Sequence, residues 1–337
     1  MNARVFSQNI ENWYLTNKRD LPWRQNPQPY RVWLAEIVFQ QTQIAQGLAY
    51  YQRLLNAFPT LQSLANAEQD EVLKLWEGLG YYSRARNLHR AAQILNEAGH
   101  FPISAAEWLK LPGVGPYTAA AITSVCYGEC IACVDGNVMR VIARTHLISD
   151  DIRKSSVVKQ IQSLVNELVT HADDPGNFNQ GLMELGATIC KPTSPQCNRC
   201  PLQNQCTFYH SDALPGSVPF KSKPQKRKER HLHFFYASQS KDVFLRKRKE
   251  DDIWGGLYVL PLMESTDKEW PDNNRGYKLI KKNTHLLTHQ KIHYYIWDVV
   301  CWSDSPVALD NFSRFIKEDQ LPALPRPLKQ FLEEQFV

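Results

Sequence analysis

The sequence lacks the marks of export and of membrane insertion. Its opening residues, MNARVFSQNIENWYL, are polar and hold no uninterrupted apolar stretch of the kind that forms a signal-peptide core. No apolar run in the chain approaches membrane-spanning length. The protein is therefore expected to be soluble and cytoplasmic. There is no internal repeat, and no low-complexity tract outside one basic stretch, so solenoid and fibrous classes are set aside. The ten histidines show no HExxH arrangement, which removes the common zinc-hydrolase reading. Charge of one sign is scarce too: a net +5 over 337 residues permits a polyanionic partner without demanding one. Disulfides are not expected in a reducing compartment, so a tight group among the eight cysteines points to a metal.

What is present suits two domains. Residues 1–213 read as a bundle of short helices separated by Gly and Pro. In YRVWLAEIVFQQTQIAQGLAYYQRLL, Trp33, Ile37, Ile44, Leu48, Tyr51 and Leu55 recur at helical spacing. AEQDEVLKLWEGLG, RARNLHRAAQILNEAG, SAAEWLKL, YTAAAITSVCYG and VVKQIQSLVNELV continue the pattern. Residues 214–230 read as a basic linker, with six Lys or Arg against one Glu in 221–230. From 231 to 337 the texture is α+β. HLHFFYAS, DVFLRKRK, LYVLPL and HYYIWDVVCW read as strands, and FSRFIKEDQ and RPLKQFLEEQF as helices.

Four features carry chemistry. LPGVGPYTAAAI (Leu111–Ile122) has the form of a helix-hairpin-helix. Gly113 and Gly115 would let the backbone turn, and amides at the next helix's start would grip a DNA phosphate without reading bases. Asp135, in IACVDGNVMRVIAR, ends an apolar segment and is placed to cap the helix that follows, which would fix its carboxylate and keep it ionised. Glu36 lies inside an apolar helix, with Gln40 and Gln43 following at i+4 and i+7. An exposed polar face is the plain alternative for that stripe. Paired with Asp135, however, Glu36 suits N-glycosidic cleavage, which needs one protonated and one ionised carboxylate. The run CKPTSPQCNRCPLQNQC spaces Cys190, Cys197, Cys200 and Cys206 as C-x6-C-x2-C-x5-C. Structural zinc and an iron–sulfur cluster both fit that spacing, with zinc the nearer fit. A second group, Cys126, Cys130 and Cys133, has radical S-adenosylmethionine spacing but follows an alanine-rich helix without any barrel pattern, and reads as apolar packing, as does Cys301.

Together, LPGVGPYTAA, VDGNV, GLGYYSRARNL, LPWR, VWLAEIVFQQTQ and the cysteine run resemble the endonuclease III superfamily of DNA glycosylases, and within it the adenine-specific MutY family. IWGGLYVLP resembles the start of that family's Nudix-like domain. The resemblance covers nearly the whole chain. It implies an all-α helix-hairpin-helix glycosylase domain with a cluster loop at 190–206, then an α+β Nudix-like domain. It implies one [4Fe-4S] cluster on Cys190, Cys197, Cys200 and Cys206, and removal of adenine opposite 8-oxoguanine or guanine from double-stranded DNA, by a monomer acting at the nucleoid. By matching position, Glu36 would protonate adenine, and Asp135 would stabilise the cationic sugar, directly or through a covalent intermediate. Tyr117 and Asn137 would support that step, and Arg24 and Gln180 would contact the flipped base. Gln41 and Tyr81 would be wedged beside 8-oxoguanine. Read from the residues themselves, Arg84 and Arg86, next to Tyr81 and Tyr82, are expected to hold phosphates.

Three positions refine the resemblance. Bifunctional relatives carry a lysine nucleophile where this chain has Tyr117, so strong lyase activity is not expected. The Phe-Ser-His recognition loop appears as Leu287-Thr288-His289, keeping a hydroxyl and an imidazole but losing the ring. The Nudix hydrolase signature is missing, so the second domain is expected to read a base rather than hydrolyse a nucleotide.

Overall fold

The computed structural model describes residues 2–222, 226–265, 277–300, 303, 305–316 and 321–335. Its helices, in chain order, are α1 (Ala3–Asn17), α2 (Pro22–Gln25), α3 (Pro29–Phe39), α4 (Ile44–Ala57), α5 (Leu61–Ala65), α6 (Gln69–Trp76), α7 (Ser83–Ala98), α8 (Ala105–Trp108), α9 (Pro116–Tyr127), α10 (Gly136–Thr145), α11 (Ser155–Val169) and α12 (Pro175–Thr188). Short 3-10 turns at Cys197–Arg199 and Gln203–Gln205 precede strands β1 (Lys228–Tyr236), β2 (Asp242–Lys247), β3 (Tyr258–Val259), β4 (Leu262–Ser265), β5 (Lys278–Leu286), β6 (Gln290–Asp298) and β7 (Ser313–Ile316), and helix α13 (Arg326–Gln335) closes the order. An all-α part followed by an α+β part is thus what the residues build. Two compact units result: Met1–Asn66 with Asn87–Lys223, and Ala67–Arg86 with Pro224–Val337. No helix among the described residues is long and apolar enough to cross a membrane.

In the first unit, local signals set the helices. Asn2 caps α1 by accepting from Val5 N at 3.2 Å, and Phe6, Ile10 and Tyr14 bury one face at i, i+4 and i+8. Helix α3 starts on Pro29 and is buried nearly all round, through Val32, Trp33, Leu34, Ala35, Ile37 and Val38, which makes it a core element. The long helix read across residues 30–55 is in fact two. The chain leaves α3 at Gln40 and passes Gln41 in left-handed conformation (φ 54°), and α4 begins after Gln43. The buried phase of α4 then runs through Gly47, Tyr51 and Leu54, and Leu48 is exposed. The Gln40–Gln43 stripe therefore lies on a corner.

The second unit holds a four-stranded mixed sheet, ordered β4-β1-β6-β5, and a three-stranded sheet, ordered β3-β2-β7. β1 and β6 are parallel and central, and the C-terminal half of each is buried on both faces. β5 is a largely exposed edge strand bearing Lys278, Lys281 and Lys282, and its missing alternation hid it from a strand reading. Two further expectations are corrected. Ser313–Ile316, read as helical, pairs antiparallel with β2, placing Phe315 opposite Val243, so the ladder overrides local helical preference. β1 starts at Lys228, inside the stretch read as linker, and Arg230 is tied to Asp252 and Glu264 by ion pairs.

Candidate active site and cluster loop

Four helices of the first unit bring the candidate side chains together. α3 presents Glu36, the first turn of α9 presents Tyr117, the start of α10 presents Asp135 and Asn137, and α12 presents Gln180, Met183 and Glu184. α9 packs on α3 and on α12, and α12 also packs on α10. Tyr117, Ile131 and Met183 pack against buried Ala120, Ala121 and Cys133. Gly186 permits the close α12–α10 approach, because a Cβ there would lie 2.6 Å from Asn137 Cβ and 2.9 Å from its carbonyl oxygen.

Asp135 is the α10 N-cap. Its Oδ1 accepts from Asn137 N at 2.8 Å and Val138 N at 2.7 Å, and its Oδ2 accepts from Asn137 Nδ2 at 2.7 Å. Arg140 Nη2 donates in turn to Asn137 Oδ1 at 2.9 Å and to Gly186 O at 2.7 Å. Burial still raises the Asp135 carboxyl above its ordinary value, against these donors and the Arg140 charge. Capping thus fixes the group, as expected, but does not by itself overcome desolvation. Glu36 is displaced further. Burial lifts it to about 7, a hydrogen bond with Tyr117 opposes the rise, and the nearby Asp135 charge adds to it. The two carboxyls therefore sit in unlike surroundings within one site. Tyr117 Oη also donates to Met183 Sδ at 3.0 Å, and burial beside Glu36 holds its phenol well above the ordinary range.

Arg24 and Gln180 complete the site wall. Arg24 Nη2 donates to Glu184 Oε2 at 2.9 Å, while its Nε is buried without a hydrogen-bond partner. Gln180 Oε1 accepts from Tyr14 Oη at 2.6 Å, which orients the amide. Glu184, 1% exposed, is opposed by burial, yet Arg19 and Arg24 together bring it below the ordinary carboxylate range. Tyr14, Met183, Glu184 and Arg140 were missed in the sequence. Their only signal there is polarity on faces that are otherwise apolar.

The other candidates are distributed as follows. Gly113 is left-handed (φ 77°), and a Cβ there would lie 2.8 Å from Asn87 Cβ. Gly115 is extended (φ −97°, ψ 176°) with open space beside it, so the turn requires glycine only at Gly113. Gln41 and Tyr81 are both exposed and both left-handed, at φ 54° and 50°, a conformation that costs a non-glycine residue roughly 1 kcal/mol. Arg84 and Arg86 are 8% and 9% exposed, so little of either side chain reaches the surface. Arg84 donates to Gly80 O and lies over the Trp76 and Tyr81 rings, and Arg86 donates to Gly255 O and Glu250 O. Thr288 and His289 are exposed on the β5–β6 turn, and the Thr288 hydroxyl is hydrogen-bonded to Tyr81 Oη. Of the second cysteine group, Cys133 is buried as expected but Cys130 is exposed, and Cys301 lies outside the described residues.

Cys190, Cys197, Cys200 and Cys206 line one cavity with Val141, Arg144, Leu202 and Phe208, and none of them is in a disulfide. Burial pushes the Cys200 thiol up to about 12 and also raises Cys197 and Cys206, with Cys190 nearby adding to each. Four sulfurs gathered where thiolates are disfavoured fit a site completed by a thiophilic cation, which relieves that cost. Arg144, 1% exposed, holds the surrounding chain: it donates to Lys191 O, Pro192 O and Pro215 O at 2.7 Å each, to Val218 O at 2.9 Å and to Cys190 Sγ at 3.4 Å. Its spacing from Arg140, one helical turn, was the available sequence signal.

Comparison with known proteins agrees with this architecture. Residues 34–167 match the HhH-GPD superfamily of base excision DNA repair proteins, and residues 233–334 match the NUDIX domain. The adenine DNA glycosylase of Buchnera aphidicola subsp. Schizaphis graminum is 34% identical over 303 residues, 87% of each chain. The chain belongs to the adenine DNA glycosylase family. The family's rat enzyme is 45% identical over 231 residues, covering 63% of this chain and 44% of that one. Among solved structures, a thermostable thymine-DNA glycosylase is similar with a TM-score of 0.54 and 28% identity, over 62% of this chain and 96% of that one. A non-covalent endonuclease III–DNA complex shares the fold, with a TM-score of 0.52 and 22% identity over 62% and 97%. Adenine glycosylase membership accounts for the second unit as well, since the family relative spans both.

Proposed function

We propose that this adenine DNA glycosylase removes adenine paired with 8-oxoguanine or guanine, as a monofunctional enzyme acting on a base flipped out of double-stranded DNA. The observation that carries the reading is the carboxyl pair: Glu36, lifted to about 7 by burial, and Asp135, held by three hydrogen bonds from Asn137 and Val138. Near neutrality Glu36 retains a proton and Asp135 serves as the anion. Glu36 gives its proton to adenine N7, and the electrons of the C1′–N9 bond leave with the base. The Asp135 carboxylate faces the resulting oxocarbenium-like sugar, and water completes hydrolysis. Tyr117 and Asn137 hold the two carboxyls, and the unpartnered Arg24 Nε with the Gln180 amide offers polar contacts to the adenine edge. No lysine stands at Tyr117 to form a Schiff base. Gln41 and Tyr81 fill the space left by the flipped base, and Thr288 and His289 read 8-oxoguanine.

Cys190, Cys197, Cys200 and Cys206 would hold a [4Fe-4S] cluster, which when bound ties the 190–206 loop together and takes no part in bond breaking. Exposed Lys191 and Arg199 on that loop are available to the DNA backbone, as is the turn at Gly113 and Gly115. We place the catalytic domain at residues 1–213 and the recognition domain after a linker that ends where β1 begins at Lys228, in a monomer working in the cytoplasm. The test is a single-turnover assay on duplexes carrying A·8-oxoguanine, A·G and T·G. Glu36→Gln should slow adenine release by roughly 100-fold or more. Equal release by wild type and variant, or preference for T·G, defeats the proposal.

A further inference from the structure

The second unit contains a side-chain cluster that adenine excision does not use. Central strands β1 and β6 run parallel with His231 opposite His293, and Glu229 lies two residues before His231, on the same face. The two imidazoles stack with centroids 4.7 Å apart and planes 9° from parallel. One ligand atom from each of Glu229, His231 and His293 lies within 4.8 Å of the others. We propose that these three residues form a binding site for a late first-row divalent cation, zinc foremost, at the N-terminal ends of β1 and β6.

Three observations carry the assignment. The first is the donor set: two imidazoles and one carboxylate favour zinc, nickel or copper over magnesium or calcium. The second is spacing. His293 Nε2 lies 3.1 Å from Glu229 Oε2, close to the roughly 3.3 Å separating two ligands of a tetrahedral zinc. The third is support behind the ligands. His293 Nδ1 lies 3.3 Å from Thr284 Oγ1 on β5, and His231 Nδ1 lies 3.2 Å from Tyr295 Oη, so each ring has a partner for its second nitrogen, and a turn of the stacked rings about χ2 brings both Nε2 lone pairs onto one ion. The competing cation is Lys291, whose Nζ lies 3.2 Å from Glu229 Oε1. Binding would put the metal ion in place of the His293–Glu229 hydrogen bond, with neutral His293 ligating through Nε2 and keeping its N–H on Nδ1 toward Thr284, and would free Lys291 and complete the coordination with water.

The position gives the site a task. Lys228 N, beside Glu229, donates to His289 O at 3.1 Å, and Leu287 N donates to Gln290 O at 2.9 Å to close the turn at the start of β6. A cation bridging Glu229 to His293 would therefore brace the turn bearing Thr288 and His289. That consequence rests on the proposed reading of 8-oxoguanine by those residues, but the metal site does not.

Cobalt(II) titration of the untagged full chain, with its iron complement intact, tests binding without reference to glycosylase activity. The expected result, read as a difference spectrum against the cobalt-free protein, is one equivalent bound, with visible bands of nitrogen and oxygen ligation, no thiolate-to-cobalt charge-transfer band, and displacement by zinc. His293→Ala and the conservative, exposed Glu229→Gln should each weaken binding roughly tenfold or more while retaining the wild-type circular dichroism, and Lys291→Ala should leave binding equal or tighter. Zinc should raise the melting temperature of wild type more than that of either ligand variant. Failure to bind cobalt at millimolar concentration, a thiolate band, or binding unchanged in either ligand variant would overturn the proposal.

Discussion

Asn137 engages both carboxylate oxygens of Asp135, through its backbone amide at 2.8 Å and its side-chain amide at 2.7 Å. A helix cap is thereby made into a clamp. The carboxylate is presented in one orientation, and Arg140 braces the clamp from behind at 2.9 Å. Asn137→Ala removes one of these bonds and the contact to Arg140. It should slow adenine excision roughly 10- to 100-fold in single-turnover assays while duplex affinity stays near wild type.

The pH profile should report Glu36. On the proposed reading its acid form is the active one, and burial places its titration at about 7, so excision should fall about tenfold per unit above 7, and should fall again at low pH where Asp135, itself raised above its ordinary value, takes up a proton. Stability has a defined sign too. The folded value lies above the ordinary 4.5, so this group favours folding below about 4.5 and loses that contribution as pH rises through about 7. Melting temperatures should therefore show Glu36→Gln gaining on wild type between pH 5 and pH 8.

Arg144 predicts a separable defect. Its guanidinium donates to four backbone carbonyls around the cysteine loop, at 2.7–2.9 Å. Arg144→Met leaves those carbonyls unpaired and should cost on the order of 3 kcal/mol. Reduced iron content and a lowered melting temperature are the readouts, and DNA affinity should fall before the bond-breaking rate of the surviving holoprotein does.

Gly186→Ala tests the packing of α12 on α10. The added methyl would meet Asn137 Cβ at 2.6 Å and its backbone at 2.9–3.0 Å, where backbone must move. A loss of roughly 1–3 kcal/mol in chemical denaturation is expected, with slower excision because Asn137 holds Asp135.

Thr288 and His289 should govern choice of the opposite base, not chemistry. Thr288→Ala, which also removes the hydrogen bond to Tyr81, should erode the preference for A·8-oxoguanine over A·G and leave single-turnover cleavage of A·G unchanged. An equal loss on A·G would place these residues elsewhere in the mechanism.

Much of the fold was legible because its signals are local. Proline at the start of α3 and α9, the Asp135 cap and the apolar faces of the short helices are written within a turn or two of chain. The corner at Gln41, the edge strand β5 and the strand at Ser313–Ile316 were not legible. Each depends on a neighbour or a backbone state that local pattern does not encode. The grouping of residues 67–86 with the C-terminal residues was hidden for the same reason. Leu324 N donates to Glu77 Oε1 across 247 positions.

The candidate site divides along the same line. The sequence by itself determined which residue types are present: two carboxyls, a tyrosine where a lysine nucleophile would stand, a hairpin glycine and four clustered cysteines. Only the tertiary structure decided what those groups are. It buried Glu36 until its proton is held near neutrality, left little of Arg84 or Arg86 at the surface, and set Arg140 and Arg144 behind Asp135 and the cysteine loop. Desolvation and hydrogen bonding act through space between helices distant in the chain, so a side chain's charge and reach are fixed only when its neighbours arrive.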